Sequence, residues 1–260
     1  MIQLKSAREI EVMAQGGAIL GAAHAHLRRE VRPGITTWEL DKMAERFIRD
    51  HAGATPAFKG LYGFPGAICI SVNQEIVHGI PSRKRTLVEG DIVSLDVGVK
   101  YAGFYTDAAI TVPVGQVDEE TARLLEVTER SLYAGIAAAV PGNHVGDIGF
   151  AIQQVVEPAG FSIVRDLVGH GVGTGPHEEP QVPNYGKPKR GVKLDVGLTI
   201  AIEPMVNAGT EKTRTLPDKW TVVTLDGRRS AHFEHTVAVT DQGPRILTAQ
   251  PALVEHSSGA

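Results

Sequence analysis

The stretch Leu87-Val-Glu-Gly-Asp-Ile-Val-Ser-Leu-Asp96 has an echo about a hundred positions later, Leu194-Asp-Val-Gly-Leu-Thr-Ile-Ala-Ile-Glu203. Both read Leu, two residues, Gly, two residues, a β-branched residue, a small residue, a branched apolar residue, then a carboxylate. Branched apolar runs of this length favour strands. Ending one on Asp or Glu takes a charge out of water, which is costly unless a cation or a partner meets it. Two such runs predict two related halves that aim acids at a shared centre.

The chain has 260 residues, 42% of them hydrophobic, enough for a large core. A net charge of -4 argues against a nucleic-acid surface. The apolar runs fall far short of the ~20 residues a membrane span needs. Residues Met1 to Glu11 are charged and lack the apolar stretch of a secretory signal. The one cysteine, Cys69, excludes an intramolecular disulfide and fits a reducing compartment. Within the apolar run Ala67–Val72 it reads as a small buried residue. The expectation is a cytoplasmic protein with no membrane and no specific nucleic-acid partner.

Ser6-Ala-Arg-Glu9 and Thr36-Thr-Trp-Glu39 are capping-box patterns. The first predicts a helix to about Arg29. The second predicts one with Leu40, Met43, Ala44, Phe47 and Ile48 on one face. Ile92–Val99 and Gly103–Val112 read as strands joined by a tight turn. Asp118–Val140 and Val145–Glu157 read as helices, the latter ended by Pro158. Gly160–Val168 and Leu198–Val206 read as strands. Trp220–Leu225 and Arg229–Thr240 read as a hairpin around Asp226-Gly227, a pair suited to a type I′ turn. With no Ser/Gly-rich linker, residues 1–250 are expected to form one α+β domain with an internal repeat, followed by a flexible tail over 251–260.

Four segments set acids or histidines in apolar or Gly-rich surroundings: Asp96 with Asp107, then His170, then Glu203, then His232-Phe-Glu234-His235. Asp96 and Asp107 lie across the predicted hairpin, where two carboxylates can share a face. Unpaired carboxylates in contact repel, and one holds a proton. With four acids and an imidazole, a hard-cation site is the cheaper solution, and oxygen-rich donors with one imidazole suit two divalent ions sharing carboxylates. Each acid alone also fits a strand residue paired with Lys or Arg. His170 alone fits a core histidine, but the glycines around it in Gly169-His-Gly-Val-Gly-Thr-Gly175 imply close backbone approach.

Asp96, Asp107, His170, Glu203 and Glu234, in this order and context, resemble the five metal ligands of the methionine aminopeptidases. The likeness extends to Val77-His78-Gly79-Ile80-Pro81, His177-Glu178-Glu179-Pro180 and Ile202-Glu203-Pro204-Met205, and runs from about Ser6 to Leu247. The short form resembles the bacterial type I enzymes. The resemblance implies the pita-bread α+β fold, with pseudo-twofold halves and helices covering an antiparallel-rich sheet. It implies two divalent ions, of Co, Mn, Fe, Zn or Ni. Asp96 would bind one, His170 and Glu203 the other, and Asp107 and Glu234 both. A metal-bound water or hydroxide would be the nucleophile and Glu203 its base. His177 would bond the carbonyl oxygen or the tetrahedral intermediate, and His78 the scissile amide nitrogen. Phe58, Leu61, Phe64, Cys69 and Trp220 would line an apolar methionine pocket, with Pro176 at its rim. The substrates implied are nascent chains and peptides with N-terminal methionine and a small second residue, met near the ribosome by a monomer.

Two alternatives carry distinct signs. An Xaa-Pro peptidase of the same fold usually has a large N-terminal domain, whereas the helices here are expected to start at Ser6. A catalytically dead binding relative would have lost ligands, and all five are present.

Overall fold

The structure, a computed structural model, describes residues 2–250; the expected tail at 251–260 lies outside the described residues. In the first half of the chain, helices α1 (Ala7–Glu30) and α2 (Thr37–Arg49) precede strands β1 (Ala54–Pro56), β2 (Cys69–Val72), β3 (Glu75–Val77), β4 (Ile92–Tyr101) and β5 (Phe104–Pro113). Helices α3 (Glu119–Ala138) and α4 (Val145–Val156) open the second half. Its strands are β6 (Ser162–Ile163), β7 (Gly169–Gly171), β8 (Glu178–Val182), β9 (Thr199–Ile202) and β10 (Met205–Asn207), then β11 (Thr213–Thr215), β12 (Val222–Thr224), β13 (Ser230–His232), β14 (Glu234–Thr240) and β15 (Gly243–Ile246).

The two templates build the same local structure. Leu87 and Leu194 are fully buried, and each is clamped by a Pro-Gly turn. Gly34 N–H donates to Leu87 O at 2.8 Å, and Gly142 N–H to Leu194 O at 2.9 Å. The leucines' own N–H groups donate to Ile35 O (2.8 Å) and Asn143 O (2.7 Å). Gly90 and Gly197 both take positive φ, 86° and 95°, where a side chain is strained. Each donates at 2.9 Å to the strand beyond, at Val114 O and Val239 O. Pro33-Gly34 and Pro141-Gly142 thus belong to the repeat as well, and each leads into a helix.

The helix starts follow the predicted caps. Ser6 and Thr36 accept from the N–H groups of Glu9 and Glu39, whose carboxylates accept in return. Asp118 caps α3, accepting from Thr121 N–H at 2.8 Å. The large sheet runs β1-β4-β5-β14-β9-β7-β8, with β2 also on β4 and β15 on β14, all antiparallel. Leu95, Val97 and Val99 of β4 join Ile200 and Ile202 of β9 and the buried helix faces in one core. The alternate residues of β4, Asp96 and Gly98, therefore point to the other face of the sheet.

Two predicted strands and the predicted hairpin differ. Only Ser162–Ile163 of Gly160–Val168 is extended. Leu198–Val206 breaks at Glu203-Pro204 into β9 and β10, which belong to different sheets, because proline has no N–H to continue a ladder. The predicted hairpin at Asp226-Gly227 is a crossing between sheets: β12 pairs with β3 and β11, and β13 with β10. A type I′ turn needs positive φ at both central residues, and of this pair only Gly227 has it. The Asp226 carboxylate instead accepts from Thr210 N–H (2.7 Å) and Arg228 N–H (3.0 Å).

Both ends of the described chain cross to the opposite half. Lys5 N–H donates to Gly197 O at 2.7 Å, and its ammonium donates to Glu178 at 2.5 Å. At the other end, Leu247 and Ala249 lie against α1. A Cβ on Gly17 would sit 2.0 Å from Leu247 O, and one on Gly21 2.3 Å from Ala249 O.

Candidate metal centre and its cavity

The register of the large sheet assembles the acids in a row. Cys69 faces Asp96, Asp96 faces Ala109, and Ala109 faces Glu234. Asp107, opposite Gly98, lies two residues along from Ala109 and so on the same face. Small Ala109 leaves room between the carboxylates. Glu203 follows β9 at the break before Pro204, where Asn184 donates to its carbonyl at 3.0 Å. Threonines staple the strands on which these acids sit. Thr236 bonds both the N–H (2.9 Å) and the carbonyl (2.8 Å) of Asp107, and Thr111 does the same for His232 at 2.9 and 2.8 Å.

Asp96, Asp107 and Glu234 are buried, and the Glu203 side chain is 12% exposed. Among the described residues no Lys or Arg pairs with any of the four; their ionic neighbours are imidazoles. Asp96 Oδ1, Asp107 Oδ1 and Glu234 Oε1 are buried without a hydrogen-bond partner. Burial pushes Asp96 up to about 7, against the hydrogen bonds it shares with Asp107 and Cys69. Burial, reinforced by the neighbouring carboxylates, holds Asp107, Glu203 and Glu234 well above the usual range.

His170 is fixed in one tautomer. Its Nδ1 lies 2.8 Å from Gly171 O, which can only accept, so the proton is on Nδ1. Nε2, 3.4 Å from Glu203, is left with its lone pair free. Burial lowers this imidazole to about 4, so it is neutral near neutral pH. A backbone carbonyl behind a neutral imidazole is the usual support of a metal-ligating histidine. Donor atoms of Asp107, His170 and Glu234 all lie within 4.8 Å of one another. Orphaned carboxylate oxygens, no ammonium or guanidinium partner, and a lone-pair nitrogen together fit divalent cations.

A cavity of about 330 Å³ opens beside these groups. Phe58, Leu61, Phe64, Cys69 and Trp220 line it. Phe64 and Trp220 meet edge to face at 5.1 Å. Pro176 is not among the lining residues. His78 and His177 stand at the cavity with His170, whose ring lies 4.5 Å from that of His177. His78 holds φ at 60°, an uncommon conformation for a non-glycine residue that clusters at functional sites. Burial lowers both His78 and His177 below the ordinary histidine value, and His177 adds to the effect on His78.

Two polar lining residues received no role from the sequence. Tyr62, 77% exposed with φ at 50°, stacks toward His177 at 6.4 Å. His232 is 2% exposed and reaches both Glu203 and Glu234. Its place two residues before Glu234 was the available signal. His24 is fully buried, with Nε2 3.0 Å from Leu95 O, as a structural histidine should be.

The sequence profile of metallopeptidase family M24 matches residues 11–241. The chain is 52% identical over 248 residues to methionine aminopeptidase 1 of Bacillus subtilis, spanning 95% of this chain and 99% of that one. It is 54% identical to a methionine aminopeptidase of Clostridium perfringens, with the same coverage. The crystal structure of the Thermotoga maritima methionine aminopeptidase superposes with a TM-score of 0.94 at 45% identity, over 96% of this chain and all of that one. The Pyrococcus furiosus prolidase shares the fold alone, with a TM-score of 0.77 at 23% identity over 95% of this chain and 66% of that one. The common architecture is the pita-bread fold.

Proposed function

Because the chain belongs to metallopeptidase family M24, and within it to the methionine aminopeptidases, we propose that it hydrolyses the bond after an N-terminal methionine in peptides and nascent chains, preferring a small second residue. The observation that supports this most is the cluster of four carboxylates beside His170, three of them buried and none paired with Lys or Arg among the described residues, opening directly into an apolar cavity.

On this reading Asp96, Asp107, His170, Glu203 and Glu234 would hold two divalent ions. Four ionised carboxylates balance the charge of two such ions. Bound ions of this kind lower the pKa of water and polarise a carbonyl. Glu203 would take the proton of the attacking water, as a general base within reach of it. Phe58, Leu61, Phe64, Cys69 and Trp220 receive the unbranched thioether side chain. His177 and His78, neutral at physiological pH, donate N–H groups to the carbonyl oxygen and the departing amide. A positioned donor of this sort contributes about 2.7–4 kcal/mol to the barrier. Residues 1–250 act as one catalytic unit, a monomer working in the cytoplasm near the ribosome, where N-terminal methionines arise.

The test is peptide hydrolysis by chelator-stripped protein. Met-Ala-Ser should be cleaved only after Co, Mn, Fe, Zn or Ni is returned, and acetyl-Met-Ala-Ser not at all. Full activity without metal, or a preference for Leu first or for Pro second, overturns the proposal.

A further inference from the structure

His232 is the one imidazole at the cavity for which the proposed reaction has no task. Its backbone is immobilised on both sides by Thr111 and registered against Met205. That clamp fixes the backbone from which the buried ring projects. Neither ring nitrogen has a hydrogen-bond partner, although the residue is 2% exposed. Orphaned buried polar groups are rare and call for an explanation. Packing alone does not supply one, since an apolar side chain of the same size would fill the space without leaving two nitrogens unsatisfied.

The placement of Nε2 supplies it. This atom lies 3.7 Å from Glu203 Oε2 and 3.8 Å from Glu234 Oε2, midway between two of the carboxylates that would hold the ions. A closure of well under an ångström makes either contact a hydrogen bond. Glu234 Oε1, the other oxygen of that carboxylate, is unpartnered and free for a cation.

We propose that His232 is a positioning residue, whose Nε2–H orients the Glu203 and Glu234 carboxylates toward bound divalent ions. This rests on the reading of those two acids as ligands. A donor behind a ligating carboxylate fixes its rotamer and leaves the remaining oxygen for the metal. Loss of such support costs about 10–100-fold in metal affinity.

The test is calorimetric titration of Mn²⁺ into metal-free protein, with the visible spectrum of Co²⁺-loaded protein as a second readout. His232→Leu removes the donor at similar volume, and His232→Gln keeps an N–H donor. The leucine variant should bind at least one ion about 10–100-fold more weakly and shift the Co²⁺ bands. The glutamine variant should recover affinity to within about threefold of the unmodified protein. Should the leucine variant not fold, His232→Ala takes its place. Wild-type affinity without a donor overturns the proposal, as does a glutamine variant as weak as the leucine one, which would mark a purely steric role. If the unmodified protein itself binds no Mn²⁺ or Co²⁺, the ligand assignment fails, and the role of His232 with it.

Discussion

A carboxylate buried beside three others keeps its proton, and this ties the stability of the metal-free protein to pH. Asp96 is raised to about 7, and Asp107, Glu203 and Glu234 are raised well above their ordinary range. The folded state therefore binds more protons than the unfolded chain once pH exceeds the ordinary carboxylate range, so stability falls as pH rises through the raised values. The buried histidines act in the opposite sense. His24 and His232 are lowered to about 3, and His170 and His235 to about 4. Their contribution is complete above about pH 6.5 and is lost as pH falls toward the lowered values. The two effects oppose each other below about pH 6.5, and only the carboxylates act above it. The melting temperature of metal-free protein should fall between about pH 6.5 and 8.5, and saturating divalent ion should flatten the slope. Calorimetric melts at stepped pH with and without metal check this; a flat metal-free profile would contradict it. These acids are legible in the sequence because each interrupts an apolar strand. Tyr62 is not, since its part depends on a loop at positive φ that no spacing along the chain records. His232 is marked only by its place two residues before Glu234, and its contacts with Glu203 and Glu234 depend on how the sheets bring these residues together.

Strand β4 serves the acid cluster and the apolar pocket through one alternation. Asp96 points at the carboxylates, and Gly98, next on the same face, lies under Phe58. A Cβ there would come within 2.7 Å of the Phe58 ring and 2.8 Å of Ala57. Gly98→Ala should push the phenyl ring into the cavity and raise KM for methionyl peptides about tenfold, consistent with the ~1–3 kcal/mol that one methylene is worth in an apolar pocket. The kcat should change less, since the acids stay in register. Steady-state kinetics on Met-Ala-Ser give both constants, and an unchanged KM would remove Gly98 from the pocket's design. The long elements are legible beforehand, since the caps at Ser6 and Thr36 and the apolar runs of β4 and β5 agree with the fold. Short strands are harder. Pro204 ends one ladder and begins another, and the Asp226 side chain makes a chain crossing look like a hairpin turn. Both are decided by partners far away in sequence.

The two halves are joined by more than the sheet. Lys5, with its side chain only 4% exposed, pairs with Glu178, which also accepts from Gly175 N–H (2.9 Å) and Thr174 (3.1 Å) beside His177. Removing one partner of a buried pair typically costs about 3–5 kcal/mol. Glu178 is 16% exposed, so the lower end applies. Lys5→Met should therefore lower stability by about 3 kcal/mol and reduce kcat, because the segment carrying His177 loosens. Because both chain ends lock onto the opposite half, intrinsic fluorescence and far-UV dichroism should trace one shared transition. Separate transitions would show that the halves unfold independently. The repeat foretells two similar halves, but not how tightly their ends interlock.

That interlocking has a consequence during synthesis. Helix α1 is made long before the C-terminal segment, yet the carbonyls that fill its notches at Gly17 and Gly21 belong to Leu247 and Ala249. Lys5, just ahead of it, waits for Glu178 and Gly197. Contacts of such sequence separation form late. Helix α1 therefore packs on β4 and β5 long before its notches are filled, and the acid cluster is completed only when Glu234 of β14 arrives.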